Sequence, residues 1–138
     1  MADTTTSNLR EPVILVVDDD PHVNFLLTAH LKLGKMNPIP VHSIDECLNK
    51  IEEMADLIDV ATVDGKLAAE RGGLIISRIK EKNPYAKILV VANDDSARLR
   101  ILQYGADDYI MKPTHPDTIE QKISWLASMK GAFMVDAK

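Results

Sequence analysis

The residues best suited to chemistry fall just after short apolar runs. Asp18, Asp19 and Asp20 follow residues 13–17, Asp64 follows residues 60–63, and Lys112 with Pro113 follows residues 109–111. Three carboxylates brought together cannot all stay ionised without a counter-charge, because like charges raise one another's pKa. A divalent cation supplies that charge, and an all-oxygen acidic pocket suits Mg²⁺ or Mn²⁺. A carboxylate flanked by such a metal and a lysine is equipped to attack a phosphoryl group, because both cations neutralise charge on the equatorial oxygens. The covalent product is an aspartyl phosphate. Each feature taken alone has an ordinary explanation. Acids at a helix start complement the macrodipole, Asp64 with Gly65 reads as a turn, and Lys112 with Pro113 reads as a loop dipeptide. Their joint placement is what carries the reading.

That placement demands a particular scaffold. Apolar, β-branched runs at residues 13–17, 39–41, 60–63, 88–91 and 109–111 start roughly 20 to 30 residues apart, with segments of helical period between them. This βαβ rhythm predicts an α/β fold: a doubly wound, five-stranded parallel sheet with helices on both faces. In such a sheet the loops at the carboxyl ends of the strands build the site, near a topological switch point. With strand order 2-1-3-4-5, strands one and three are neighbours. Asp18, Asp19 and Asp64 then converge, with Lys112 close by.

The helices carry their own signals. Asp20 is a good N-cap with Pro21 at the first position, and Val23, Leu26, Leu27, His30 and Leu31 make an apolar stripe. Gly34 suits the left-handed position after that helix. Ser43 and Glu46 form a capping box. A third helix is expected from about Gly72–Leu74 to just before Asn83. Asp94 or Asp95 is placed to cap a fourth helix ending at Gly105. Pro116 opens a fifth, with Ile119, Ile123 and Leu126 on one face and Trp125 off that stripe.

Composition removes other function classes. The chain has 138 residues, 46% of them hydrophobic and 27% charged, which fits one globular domain. The longest apolar runs are five residues, far below the ~20 of a membrane span. No secretory h-region precedes residue 12. A single cysteine, Cys47, excludes an internal disulfide. A net charge of −5 and a pI near 5.3 disfavour direct nucleic-acid contact. A reducing, cytoplasmic setting is expected.

The motifs "ILVVDDDP" (residues 14–21), the Asp64 that closes "VATVD", and "GADDYIMKP" (residues 105–113) resemble the receiver domain of two-component response regulators, the CheY-like, flavodoxin-like (βα)5 family. The resemblance covers about residues 12–129. It implies that Asp18 and Asp19 are the acidic pair that holds Mg²⁺, that Asp64 is the phosphoacceptor and a metal ligand, and that Lys112 contacts the phosphoryl group. It implies a cis peptide between Lys112 and Pro113, the backbone carbonyl of Lys66 as a further metal ligand, and Tyr109 as the switch aromatic. Function then follows as phosphorelay signalling: a histidine kinase or phosphotransfer protein donates the phosphoryl group. A downstream protein reads the face made by the fourth helix, fifth strand and fifth helix, where Trp125 and Met129 join Tyr109. Enzymatic activity extends at most to self-catalysed phosphotransfer and hydrolysis of the aspartyl phosphate.

The sequence departs from the family in two places. Val91, or less closely Val90, stands where the family has Thr or Ser, so either way the hydroxyl that bonds the phosphoryl oxygen is missing. After Asp64, Gly65 and Ala68 are unusual and loosen that loop. The alternative is therefore a pseudo-receiver that binds partners without phosphorylation. The retained Asp18, Asp19, Asp64 and Lys112 argue against it. A haloacid-dehalogenase-like phosphatase would use Asp18-x-Asp20, but it needs its lysine before a later acidic pair, and here Asp107 and Asp108 precede Lys112. The four histidines are scattered without a ligating motif. The expected organisation is a disordered arm at 1–11, a receiver domain at 12–130 and a short apolar tail at 131–138. That tail either packs back on the domain or forms a homodimer contact.

Overall fold

The computed structural model describes the backbone of residues 10–136 and the side chains of residues 10–129. In chain order the elements are β1 (Val13–Val17), α1 (Pro21–Leu33), β2 (Asn37–Val41), α2 (Ile44–Met54), a 3-10 turn (Ala55–Leu57), β3 (Val60–Asp64), α3 (Gly65–Lys82), β4 (Lys87–Ala92), α4 (Arg98–Gln103), β5 (Asp108–Met111) and α5 (Pro116–Asp136). The five strands form one sheet in the order β2-β1-β3-β4-β5, every pair parallel.

The sheet splits the core into two clusters, and strand alternation decides which side each residue joins. Leu15, Val17, Ala61, Val63, Ile88 and Val90 pack against α2, α3 and α4 through Cys47, Ile51, Ile75, Ile79 and Ile101. Ile14, Val16, Val60, Leu89 and Val91 pack against α1 and α5 through Leu31, Ile119, Ile123 and Leu126. All five residues of β1 are buried, which is why that run is uniformly apolar.

Several helix details differ from the sequence reading. In α1 the buried positions are Asn24, Thr28 and Leu31, whereas Leu26 is half exposed. The reason is a polar anchor. The Asn24 carboxamide donates to the carbonyls of Asp18 (3.0 Å), Val41 (2.9 Å) and Val16 (3.4 Å), and the Thr28 hydroxyl donates to Asn24 Oδ1 (3.1 Å). The left-handed residue after α1 is Lys35 (φ 63°), one place beyond Gly34. Met36 N–H bonds Leu31 O and Lys35 N–H bonds Lys32 O, a Schellman closure that makes Gly34 the C-cap. A β-carbon on Gly34 would meet the end of the Glu120 side chain, which would have to move aside.

Arg71 is non-helical (φ −139°) and divides α3: the helix expected from about Gly72 follows it and runs to Lys82, and a short helical stretch from Gly65, which the sequence reading did not include, precedes it. Leu67 and Ala68 are buried, so the extra turns gain core contact. The fourth helix is only six residues long. Asp94 bonds the N–H and hydroxyl of Ser96 and so shapes the turn before the helix, while Ala97 occupies the cap without a side-chain bond. Gly105 holds φ +115° at the turn into β5.

The expected N-terminal arm falls largely outside the described residues, but Arg10 is placed. Its guanidinium grips Asp59 with bonds of 2.8 and 3.0 Å, and Asp59 also accepts the N–H of Val13. The α5 backbone continues through Asp136. The expected packing of the apolar tail lies outside the described side chains.

Candidate functional site

The carboxyl ends of β1, β3 and β5 bring the chemistry together. Val17 and Val63 are in register, so Asp18 and Asp64, each one residue further on, leave neighbouring strands side by side. Asp18, Asp19 and Asp64 each offer a carboxylate oxygen within 4.8 Å of the others. Lys112, just beyond β5, reaches across β4 to place Nζ 3.0 Å from Asp64 Oδ1. The Lys112–Pro113 peptide is cis, and Lys112 N–H donates to Ala92 O at 2.6 Å.

Asp18 is held from two sides. Its Oδ1 accepts the Asp20 N–H at 2.9 Å, and its own N–H donates to Val41 O. Burial pushes its carboxyl pKa up, and the charges of Asp64 and Asp19 push the same way, against the Asp20 N–H and Lys112. The cluster thus carries negative charge that its neighbours do not fully balance. A compact, uncompensated set of carboxylate oxygens fits a hard divalent cation. Asp20 does not join this set. Its side chain caps α1, accepting from His22 N (3.0 Å) and Val23 N (3.3 Å).

Asp64 has a double role. Its Oδ2 accepts the N–H of Lys66 at 3.1 Å, so the same side chain that belongs to the carboxylate cluster also caps α3. Lys66 sits in the first turn of that helix, and its ammonium lies 3.6 Å from Asp19 Oδ2. In this structure Lys66 meets the cluster through its N–H and its ammonium. The α3 start lies close to the end of β4, because a β-carbon on Gly65 would overlap the Ala92 side chain and stand 2.8 Å from its Cα.

Val91 is buried and in register opposite Asp64. It lines an apolar groove of about 350 Å³ between α1 and α5 that also takes in Asp64 and Lys112. Tyr109 is buried on the other face of the sheet. Its hydroxyl donates to Asp94 O at 2.6 Å, and Arg98 stands 5.8 Å from the ring centroid. Trp125 and Met129 are exposed on α5. The sequence reading grouped them with Tyr109 on one surface; the inward ring position of Tyr109 separates it from them.

Sequence reasoning passed over Asn24, Thr28 and the contact of the Lys66 ammonium with Asp19. Asn24, Thr28 and Leu31 are spaced i, i+4, i+7, so a polar pair at helical spacing was the available signal for the first two.

Comparison with known proteins defines the class. The family model described as "Response regulator receiver domain" matches residues 14–124, and the chain belongs to that family. It is 30% identical over 113 residues to a cyclic di-GMP phosphodiesterase of Thermotoga maritima, covering 80% of this chain and 30% of that protein. It is 28% identical over 114 residues to the phosphate regulon transcriptional regulatory protein PhoB of Escherichia coli, covering 80% and 49%. The chain thus spans less than half the length of these relatives. Among solved structures, a CheY-like receiver domain protein from Methanospirillum hungatei superposes with a TM-score of 0.78 at 27% identity, covering 88% and 98% of the two chains. The response regulator TrrA of Thermotoga maritima, solved with Mg(2+)-BeF, gives 0.71 at 25% identity, covering 83% and 98%. The protein is a receiver domain of the kind found in two-component response regulators. Among the described residues no helix is long and apolar enough to cross a membrane.

Proposed function

We propose that this receiver accepts a phosphoryl group on Asp64 from the phosphohistidine of a sensor kinase or phosphotransfer protein, in a Mg²⁺-dependent reaction, within a domain spanning residues 12–130. The observation that carries the reading is the convergence of Asp18, Asp19 and Asp64 with Lys112 at 3.0 Å. Asp18, Asp19 and Asp64 would hold Mg²⁺, or Mn²⁺ in its place, with the Lys66 carbonyl as the further ligand implied by the family. The metal would supply charge neutralisation on the phosphoryl oxygens. An Asp64 oxygen attacks phosphorus while the phosphorus–nitrogen bond of the donor breaks. The imidazole nitrogen keeps the bonding pair and is then protonated. Lys112 exchanges Asp64 Oδ1 for a phosphoryl oxygen and holds the new dianion. Water reverses the state by attacking the same phosphorus, so the catalysis is confined to the domain's own phosphoryl group.

The signal passes by protein contact in the cytoplasm, through the α4-β5-α5 face to a downstream target or to a second copy of the chain. Intact mass after treatment with acetyl phosphate and Mg²⁺ tests this. The wild type gains one phosphate and Asp64→Asn gains none. A phosphate retained by Asp64→Asn refutes the assignment. A wild type that gains none from acetyl phosphate or a kinase favours the second reading, a pseudo-receiver, for which buried Val91 opposite Asp64 is the specific support.

A further inference from the structure

A second group of ligating side chains, none of them shared with the Asp18, Asp19 and Asp64 cluster, lies on α1 and α5. His30, from the last turn of α1, faces Asp117 and Glu120, which are three residues apart at the start of α5 and so share one helix face. The helices are held together beneath them by Leu31, Ile119 and Ile123.

His30 Nε2 lies 3.0 Å from Asp117 Oδ1 and 2.9 Å from Glu120 Oε1. These are hydrogen-bond distances, yet Nε2 is shielded from solvent and makes no hydrogen bond that meets angular limits. The two carboxylates crowd the nitrogen without satisfying its N–H. Glu120 owes its position to Gly34, because its carboxylate fills the space that a β-carbon would take. His115 also borders the group: its Nδ1 accepts the N–H of Asp117 at 3.0 Å and stands 3.5 Å from Asp117 Oδ2.

A shared metal ion fits this arrangement of donors. Two donor atoms bound at about 2.1 Å to one ion stand about 3.4 Å apart at the tetrahedral angle and about 3.0 Å apart at a right angle. The separations from Nε2 to both oxygens lie at the right-angle value and a few tenths of an ångström inside the tetrahedral one, a gap that small side-chain shifts close, and a metal bond uses the nitrogen lone pair and needs no N–H partner. The donor set matters too. Imidazole with carboxylate suits Zn²⁺ and the late first-row divalent ions, whereas Mg²⁺ favours oxygen alone. Asp117 is well exposed, which gives an ion a way in and leaves room for water to complete the coordination.

We propose that His30, Asp117 and Glu120 form a binding site for a divalent transition metal of the Zn²⁺ class, which ties the end of α1 to the start of α5. The proposal is independent of phosphorylation at Asp64.

The test is calorimetric titration of the untagged protein with Zn²⁺ in millimolar Mg²⁺, so that the all-oxygen cluster is already supplied with its own ion. Visible absorption with Co²⁺ is the second readout. The wild type should show one Zn²⁺ site. His30→Ala and Glu120→Gln should each lose it while keeping native circular dichroism, and Asp19→Asn should keep it. Zn²⁺ should also raise the melting temperature of the wild type and of Asp19→Asn alone. No Zn²⁺ uptake by the wild type overturns the proposal. So does a site that survives in both His30→Ala and Glu120→Gln, or one that disappears in Asp19→Asn.

Discussion

The Lys66 ammonium stands 3.6 Å from Asp19 Oδ2, so one member of the carboxylate cluster already has a cation supplied by the chain. Both groups are largely exposed, which keeps the pair weak and exchangeable. Lys66 must leave Asp19 before a metal can use that oxygen. Lys66→Ala should therefore tighten Mg²⁺ binding about two- to fivefold, the scale of an exposed ion pair. Mg²⁺ titration followed by the Trp125 fluorescence or by amide shifts near Asp19 measures this. An affinity unchanged or weakened by the substitution goes against the competition.

Gly65 is required by the approach of α3 to β4. An alanine there places its methyl on the Ala92 side chain and close to its Cα, and backbone gives way less readily than a flexible side chain. Gly65→Ala should cost about 1–3 kcal/mol, as overpacking does. Urea unfolding should show a lower midpoint at an unchanged slope. A variant as stable as the wild type would mean that α3 shifts freely at its start.

Cys47 is fully buried in α2, and burial, helped by the charge of Glu46, pushes its thiol pKa up to about 12. The thiolate is the reactive form, so native protein at pH 8 should resist a thiol reagent. Labelling should appear only with urea, along the same curve as loss of circular dichroism. Rapid labelling without denaturant contradicts the placement of Cys47.

The strands were legible because burial on both faces leaves a run of five apolar residues in β1 with no polar alternative. Asp18, Asp19 and Asp64 could be placed from sequence for the same reason: each follows such a strand, and parallel register puts strand ends together. The buried face of α1 was not legible from hydropathy. Asn24 and Thr28 are inside because the ends of β1 and β2 present carbonyls that need donors, and only the fold reveals those carbonyls. The contact of Lys66 with Asp19, and of His30 with Asp117 and Glu120, joins residues far apart in the chain. No local pattern encodes either.

Asp108 and Lys122 join β5 to α5 at 2.9 Å. Burial pushes the Asp108 carboxyl up, but Lys122, the Tyr109 N–H and Arg98 together outweigh it, so its pKa lies below the ordinary value. A carboxyl lowered on folding adds stability above its unfolded pKa, and that stability is lost as pH falls through the folded value. Lys122→Met should cost about 0.5 kcal/mol at pH 7. The gap between variant and wild type should shrink as pH drops below about 4. Urea midpoints at both pH values give the comparison, and a gap that is independent of pH removes the pair as its cause.

Val91 lies in register with Asp64 but offers no hydroxyl, and Tyr109 is held inward by its bond to Asp94 O. In the family that this chain belongs to, the hydroxyl at the Val91 position moves toward the phosphoryl group and the switch aromatic follows. A hydrogen bond to a charged group is worth about 1.5–3 kcal/mol. Turning a two-state equilibrium from 1:99 to 99:1 needs about 5.5 kcal/mol, so losing that bond removes a large fraction of the bias. Lys112 still reaches Asp64, so phosphorylation itself should survive. The expected result is a domain that accepts the phosphoryl group and shifts the α4-β5-α5 face weakly. Val91→Thr should enlarge the response. The measurement is the amide shift change at Tyr109 and Trp125 on adding beryllofluoride and Mg²⁺ to each protein. If a nearby donor such as the Asn93 side chain replaces the hydroxyl, the wild type responds fully and Val91→Thr adds nothing, which rules out the weak-coupling account.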